Sequence, residues 1–246
     1  MSVIQIRNLH KSFGEKRVLQ GVDLEIERGE TLVVVGKSGC GKSVMLKHIV
    51  RLLEPDEGTV TVEGKRLDKL SEKEIYEMRK DFGFLFQGAA LFDSMTVEEN
   101  VSLPLVETMS GHTKAEIDRL VAEKLEVVDL PGVQKLKPSE LSGGMKKRVG
   151  LARSLVTEPA YILYDEPTTG LDPTMSDSID DLIVALSDRL NVTSIVVTHD
   201  LFSITNVADR VAMLHDGRIH YDGSASGLFD STDETIHEFT NRASTR

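Results

Sequence analysis

The chain has 246 residues, 40% of them hydrophobic, which suffices for one large α/β core or two small ones and excludes a disordered chain. Lys and Arg total 29 against 40 Asp and Glu, a formal net charge of -11, so the field of the whole chain repels a polyanion and disfavours nucleic acid as a partner. A single cysteine, Cys40, excludes an intramolecular disulfide; the start MSVIQIRNLH lacks a signal-peptide layout, and no apolar run approaches the roughly 18 residues of a spanning helix, so a cytosolic location without a transmembrane segment is expected.

Alternation over residues 3–7 and 18–26, with turns at Gly14 and Gly29-Glu30, predicts short antiparallel strands, with Phe13 in the first turn. Thr31-Leu32-Val33-Val34-Val35 reads as a strand buried on both faces. It runs into Gly36-Lys37-Ser38-Gly39-Cys40-Gly41-Lys42-Ser43, which fits G-x-x-x-x-G-K-[ST]. Glycines there let backbone N–H groups turn inward around phosphate oxygens, and a following helix from Val44 presents its positive end to the anion. Lys42 is placed to reach β- and γ-phosphates and Ser43 to hold Mg²⁺. Cys40, at that helix start, is either an acidified thiol or a small space-filler.

Residues 59–63 alternate after the turn Pro55-Asp56-Glu57-Gly58, predicting a further strand and a phosphate loop embedded in mixed sheet. Ser71 opens a capped helix to about Lys80, and Phe82 to Phe86 form a strand that brings Gln87 to its carboxyl end, where open α/β sheets bind ligands. From Gly88 to about Pro159 the pattern is helical. Thr113 to Glu116 is a second capping box, and Ile117, Leu120, Val121, Leu125 and Val128 form one apolar stripe. Ala89 to Phe92 and Met95 are either core or an exposed docking groove. Ser142-Gly143-Gly144 caps the next helix and is equally a second phosphate cradle.

Tyr161 to Tyr164 is a buried strand ending in Asp165-Glu166. Beside the phosphate-loop strand it brings Asp165 to Mg²⁺ and Glu166 to an attacking water; alone, it is a strand entering a turn. A turn from Thr168 to Pro173 and a helix from Met175 to Leu190 follow. Ser194 to Thr198 is another buried strand, with His199 at its carboxyl end and Asp200 capping the next helix; residues 211–221 make a closing hairpin, and a short helix near Ile236 to Phe239 precedes a polar end.

Taken together and in order, GKSGCGKS, Gln87, LSGGM, ILYDEP, LDP and His199 resemble an ATP-binding cassette (ABC) ATPase along nearly the whole chain. The resemblance implies the α/β P-loop NTPase fold with a mixed or antiparallel β subdomain and an inserted helical subdomain. It divides the chain into a single domain over 1–240, with a nucleotide-binding core over 1–87 and 160–222, a helical signature piece over about 88–159, and a short C-terminal helix and tail over 223–246. It implies ATP and Mg²⁺ as cofactors. The nucleotide falls on Phe13, which stacks on adenine, and on Gly36, Lys37, Ser38, Gly39, Cys40, Gly41, Lys42, Ser43 and Val44. Metal contacts fall to Ser43, Gln87 and Asp165, and catalysis to Glu166, His199, Gln87 and Lys42. Ser142, Gly143 and Gly144 bind the γ-phosphate held by a second copy, toward which Asp172 also crosses, so the site is complete only in a head-to-tail dimer.

Met145 and the run Lys146-Lys147-Arg148 depart from relatives that carry Gln after SGG, and Phe13 replaces the commoner Tyr. With residues 85–97 and 100–105, these features resemble ATPases of Mla-type phospholipid transporters, which work with an integral-membrane permease and an Mce-domain protein. The implied place is peripheral, on the cytoplasmic face of the inner membrane. Alternatives are the ATPase of an amino-acid or other small-solute importer, which shares every catalytic motif, and a soluble non-transport ABC ATPase. Against the latter stand the net charge and the lack of a long heptad insertion.

Overall fold

Two long strands open the chain in the computed structural model, which describes residues 2–108 and 111–243. These are β1 (Ser2–Phe13) and β2 (Lys16–Glu27), paired antiparallel through a tight turn. They are longer than the expected pieces, because several register shifts let the ladder continue past positions where alternation fails. Phe13 is the last residue of β1, opposite Lys16, and is not itself in the turn. With β4 (Glu57–Val62) and β5 (Lys65–Arg66) they form a four-stranded sheet in the order β2-β1-β4-β5.

The phosphate-loop strand β3 (Thr31–Val35) belongs to a different sheet, itself mixed as expected, so the early strands and residues 59–63 do not join the sheet that carries the loop. That second sheet has six strands in the order β10-β9-β3-β8-β7-β6, from β6 (Phe82–Leu85), β7 (Tyr161–Asp165), β8 (Thr193–Val197), β9 (Arg210–His215) and β10 (Arg218–Gly223). All neighbours are parallel except β10 on β9. β8 lies between β3 and β7, so the acidic strand is one place removed from the phosphate-loop strand and not beside it.

β3 is buried on both faces because each face meets its own core. Val33 and Val35 join one cluster with the helices, whereas Leu32 and Val34 join another with the four-stranded sheet. The second cluster includes Met45, Leu46 and Ile49 of α1 (Lys42–Ile49), which lies between the two sheets. α2 (Glu72–Arg79) starts at a capping box on Ser71 and Glu74.

Three helices follow. α3 (Val97–Glu107) starts at a capping box of Thr96 and Glu99, which sequence reading missed although Thr-x-x-Glu is its ordinary signature. α4 (Lys114–Val127) has the expected box at Thr113. Its stripe is core: Val121, Leu125 and Val128 are buried, and Ile117 and Leu120 pack against them. α5 (Gly143–Leu155) is capped by Ser142, whose hydroxyl accepts from Met145 N.

α6 (Pro173–Leu190) is capped by Asp172, and α7 (Leu201–Val207) by Asp200. α8 (Ala225–Phe229) and α9 (Glu234–Ala243) close the chain, with Ile236 and Phe239 buried in the helical core. Residues 244–246 of the expected polar tail lie outside the described residues. α9 also reaches the phosphate loop, where Glu238 pairs with Lys37 at 2.9 Å.

On α6, Asp180 is 2% exposed, and burial pushes its pKa up to about 6, with Asp200, Asp177 and Asp181 adding to the rise and the Ser203 hydroxyl opposing it. Below the ordinary carboxylate pKa the group is protonated folded and unfolded, and costs nothing. As pH rises from the ordinary carboxylate pKa towards about 6, the unfolded chain ionises while the buried group resists, so its contribution lowers stability across that window and levels off above it. Asp180→Asn is therefore expected to raise stability at pH 8 by about 1–3 kcal/mol and by less at pH 5. Urea midpoints at both pH values test this; an equal change at each contradicts it.

Candidate functional site

Four parallel strands end on one edge of the six-stranded sheet, and each delivers a group. Register brings three of the ends level: Val197 pairs with Val34 on one side and Asp165 on the other. The loop after β3, Gln87 after β6, Asp165-Glu166 at β7 and His199 after β8 thus gather at the carboxyl edge, where such sheets bind ligands.

The loop depends on glycine at its base. Gly36 has φ 150°, and a Cβ there would stand 2.3 Å from the Leu214 carbonyl oxygen and 2.9 Å from Cys40 Sγ. Cys40 N closes the turn onto Lys37 O at 3.2 Å, and burial pushes the thiol's pKa up. The acidified-thiol expectation therefore fails, because desolvation outweighs the nearby Lys42 charge, and the space-filling role stands. Ser38 and Gly39 are exposed on the rim, Gly41 is the N-cap of α1, and Val44 is half-buried in its first turn.

Lys42 is 5% exposed, and its Nζ donates to Gly36 O at 2.8 Å, inside the loop. The same ammonium stands 3.5 Å from Glu166 Oε1. Ser43 Oγ donates to Asp165 Oδ1 at 2.6 Å. Glu166 Oε2 accepts from Thr169 Oγ1 at 2.8 Å and faces His199 Nδ1 at 2.6 Å. A carboxylate only accepts, so Nδ1 carries the proton and Nε2 remains for another partner. Glu166 itself is left-handed, φ 53°, with its N–H on Val197 O at 2.8 Å. Such a conformation costs about 1–2 kcal/mol in a non-glycine residue, and here three side chains and the neighbouring strand hold it.

This constellation fits a phosphate and a small divalent cation. The loop supplies a buried ammonium, and Ser43 with Asp165 supplies the hydroxyl and carboxylate that accompany Mg²⁺ on a phosphate. Among the described residues no three or more His, Cys, Asp and Glu cluster as a metal cage, and Mg²⁺ on phosphates needs only one or two protein ligands.

Gln87 is exposed, two residues beyond β6, and its backbone carbonyl accepts from Lys147 Nζ of α5. Lys147 also donates to Glu166 O at 3.1 Å. Beyond Gln87, Ala89 and Ala90 are both left-handed, and Arg153 of α5 donates to their carbonyls at 2.7 and 2.8 Å. Sequence reading missed Lys147, Arg153 and Thr169. A signal existed for Lys147: it falls at helical spacing between the buried Gly144 and Leu151, a face that ordinary surface lysines avoid.

Three expected groups stand apart. Phe13 is 47% exposed at the β1–β2 tip, with the Lys11 ammonium 5.8 Å from its ring centroid. Asp172 is exposed and accepts from Met175 N at 3.1 Å. Ser142 and Gly143 are exposed at the start of α5, and no described hydrogen bond or ion pair joins residues 142–144 to residues 36–43. Gly144 is buried against α6, where an added Cβ would lie 2.1 Å from Met175 Cε.

Ala89 and Leu91 face the core, but Ala90 and Phe92 line a groove of about 420 Å³ with Phe84, Phe86, Leu103 and Pro104. The apolar loop thus divides residue by residue between the two expected readings. Arg153 lies in the wall of this groove.

Comparison with known proteins agrees with this arrangement. Residues 19–169 match the family described as ABC transporter. The chain is 41% identical over 241 residues to a probable ribonucleotide transport ATP-binding protein, mkl, of Mycobacterium leprae, covering 97% of this chain and 68% of that protein. It is 40% identical to a methionine import ATP-binding protein, MetN, of Clostridioides difficile, over 92% of this chain and 70% of the other. To the intermembrane phospholipid transport system ATP-binding protein MlaF of Haemophilus influenzae it is 37% identical, over 97% and 90%. An ATP-binding cassette solved as a dimer in a post-hydrolysis state, bound to ADP and Pi, superposes with a TM-score of 0.83 at 34% identity, covering 90% of this chain and 98% of the other.

Proposed function

The chain belongs to the ABC transporter family and is an ATP-binding, ATP-hydrolysing subunit of that kind; from this premise we propose that it drives phospholipid transport through a partner permease. The observation that carries the lipid reading is the groove. Phe84, Phe86, Ala90, Phe92, Leu103 and Pro104 line it, and all but Phe84 belong to the stretches 85–97 and 100–105 that resemble Mla-type ATPases. An apolar groove of about 420 Å³ beside Gln87 suits a short helix of a membrane subunit. Similarity to a phospholipid-transport ATPase over 97% of the chain supports the same reading.

The division of labour follows from the chemistry of the side chains. Lys42 and the loop amides hold the phosphates, with Phe13 against the base. Ser43, Asp165 and Gln87 would hold Mg²⁺, which when bound would neutralise negative charge on the phosphates. Glu166 orients the attacking water and takes up its proton, and His199 presents Nε2 to the γ-phosphate. Ser142, Gly143 and Gly144 lack a phosphate in their own chain; in a head-to-tail pair they close on the nucleotide of the second copy, and Asp172 crosses at the same seam. ATP then fastens the pair and phosphate loss releases it. On this reading the chain divides into the core over 1–87 and 160–222 and the helical piece over 88–159.

No helix among the described residues is long and apolar enough to cross a membrane. The proposed place, which follows from the proposed permease partner, is peripheral, at the cytoplasmic face of the inner membrane. An Mce-domain protein is the proposed further partner. A second reading, an amino-acid importer, rests on the 40% identity to a methionine import ATPase. Affinity purification of the chain from its own membranes separates the two: a permease with an Mce-domain protein and bound phospholipid is expected, and a permease with a solute-binding protein overturns the lipid reading.

A further inference from the structure

We infer that Lys147 is a positioning residue for hydrolysis, a buried ammonium that ties the Gln87 loop and Glu166 to the helix bearing the Ser142-Gly143-Gly144 cradle. The inference rests on the proposed role of Glu166 and adds how that group is kept in place.

Lys147 is 5% exposed, yet its Nζ meets backbone carbonyls and not a carboxylate: Gln87 O on one side and Glu166 O at 3.1 Å on the other. A charged amine is costly to bury, and here burial pushes its pKa down while Glu166 and Asp165 oppose the fall. An ammonium kept there for packing alone would be replaced at lower cost by Met, so the two carbonyls are what it serves.

Those carbonyls are the ones whose direction matters. Glu166 is left-handed, φ 53°, and the Lys147 bond to its carbonyl helps hold the backbone that carries the carboxylate, which stands 3.5 Å from Lys42 and 2.6 Å from His199. The Gln87 carbonyl begins a loop whose next turns, Ala89 and Ala90, are also left-handed and are held by Arg153. Lys147 lies one helical turn after Gly143, on the helix whose start would face a second copy's nucleotide. A movement of that start is therefore felt at Gln87 and Glu166 together, through one side chain bonded to both carbonyls.

The test uses the full chain and four variants: K147M, K147R, E166Q and the double variant K147M/E166Q. K147M removes both hydrogen bonds at nearly constant volume. It is expected to lower kcat about 10- to 100-fold, as a small misplacement of a reacting group does, while the Kd for a fluorescent ATP analogue stays within about threefold. K147R, which keeps charge and forked donors, is expected to recover most of the loss. Because one of the two Lys147 bonds acts through Glu166, the double variant is expected to lose clearly less than the product of the two single losses.

Normal kcat in K147M overturns the inference, and so do losses that multiply in the double variant or a Kd that weakens as much as kcat. If K147M melts well below the parent chain, K147Q replaces it under the same criteria. Failure of the Glu166 reading is distinct: E166Q itself would then turn over normally, whatever K147M does.

Discussion

Hydrolysis by the Glu166→Gln protein is expected to fall by roughly 10² to 10⁴, the range for removing a positioned base, with ATP binding kept. The amide has the shape of the carboxylate and can still meet Thr169 Oγ1, now 2.8 Å away, and the His199 ring at 2.6 Å, so the loop should keep its course. It cannot take up a proton. It also removes a negative charge from the place where a γ-phosphate would sit, 3.5 Å from the Lys42 ammonium, so nucleotide affinity should hold or rise. Single-turnover hydrolysis and nucleotide titration together check this. Parent-like turnover would remove Glu166 from its proposed role and return the water to Asp165 or to His199.

Lys42→Ala is expected to act on binding itself, weakening ATP affinity by about 10²- to 10³-fold, as the loss of one partner of a buried charge pair does. Three things are lost at once. The ammonium no longer meets the phosphates, Gly36 O loses its donor at 2.8 Å, and Glu166, only 11% exposed in its side chain, keeps a charge without its cationic neighbour. Breaking a buried pair by removing one partner costs about 3–5 kcal/mol, and an incoming polyphosphate would then meet an uncompensated carboxylate. Equilibrium titration with a fluorescent ATP analogue gives the number, and a melting curve shows that the fold persists. An affinity within about twofold of the parent chain contradicts the assignment of Lys42.

How much of this could be read from the residues depends on the range of each interaction. The strand before the loop, the helix caps at Ser71, Thr113, Ser142 and Asp200, and the apolar stripe of α4 are local patterns, and each is where its spacing predicted. Sheet membership is not local. Nothing in residues 1–35 says that β1 and β2 leave β3 to a separate sheet, and nothing near residue 161 says that β8 separates β7 from β3.

The site divides along the same line. Lys42, Ser43, Asp165, Glu166 and His199 carry chemistry that their positions after strands announce, and they meet within hydrogen-bonding or ion-pair distance. Lys147 reaches the Gln87 carbonyl, and Arg153 the Ala89 and Ala90 carbonyls, across 60 or more residues, and backbone carbonyls have no sequence signature. Cys40 shows the reverse: a helix N-terminus favours a thiolate, but the Cys40 thiol lies under the loop, and desolvation there is the larger effect.

The second phosphate cradle is where these threads meet. Ser142, Gly143 and Gly144 form a capped helix start with exposed edges, and no described hydrogen bond ties that start to the phosphate loop of the same chain. Gly144 is small because Met175 of α6 crowds it, so a packing reason accounts for that residue. No such contact below 3 Å accounts for Gly143, whose added Cβ would find only the Leu171 side chain at 3.5 Å. An open glycine at a helix start suits close approach by an anion from outside.

On this account ATP joins two copies, each completing the other's site. The most direct measurement is the solution mass of Glu166→Gln with ATP and Mg²⁺, alone and with Gly143→Asp added in the same chain, by light scattering on a sizing column. The account predicts a mass twice that of the 27.2 kDa chain for Glu166→Gln with ATP, and a single chain without nucleotide or once the Gly143→Asp change puts a carboxylate at the cradle. A monomer with ATP bound, or a dimer indifferent to both ATP and Gly143→Asp, would contradict it.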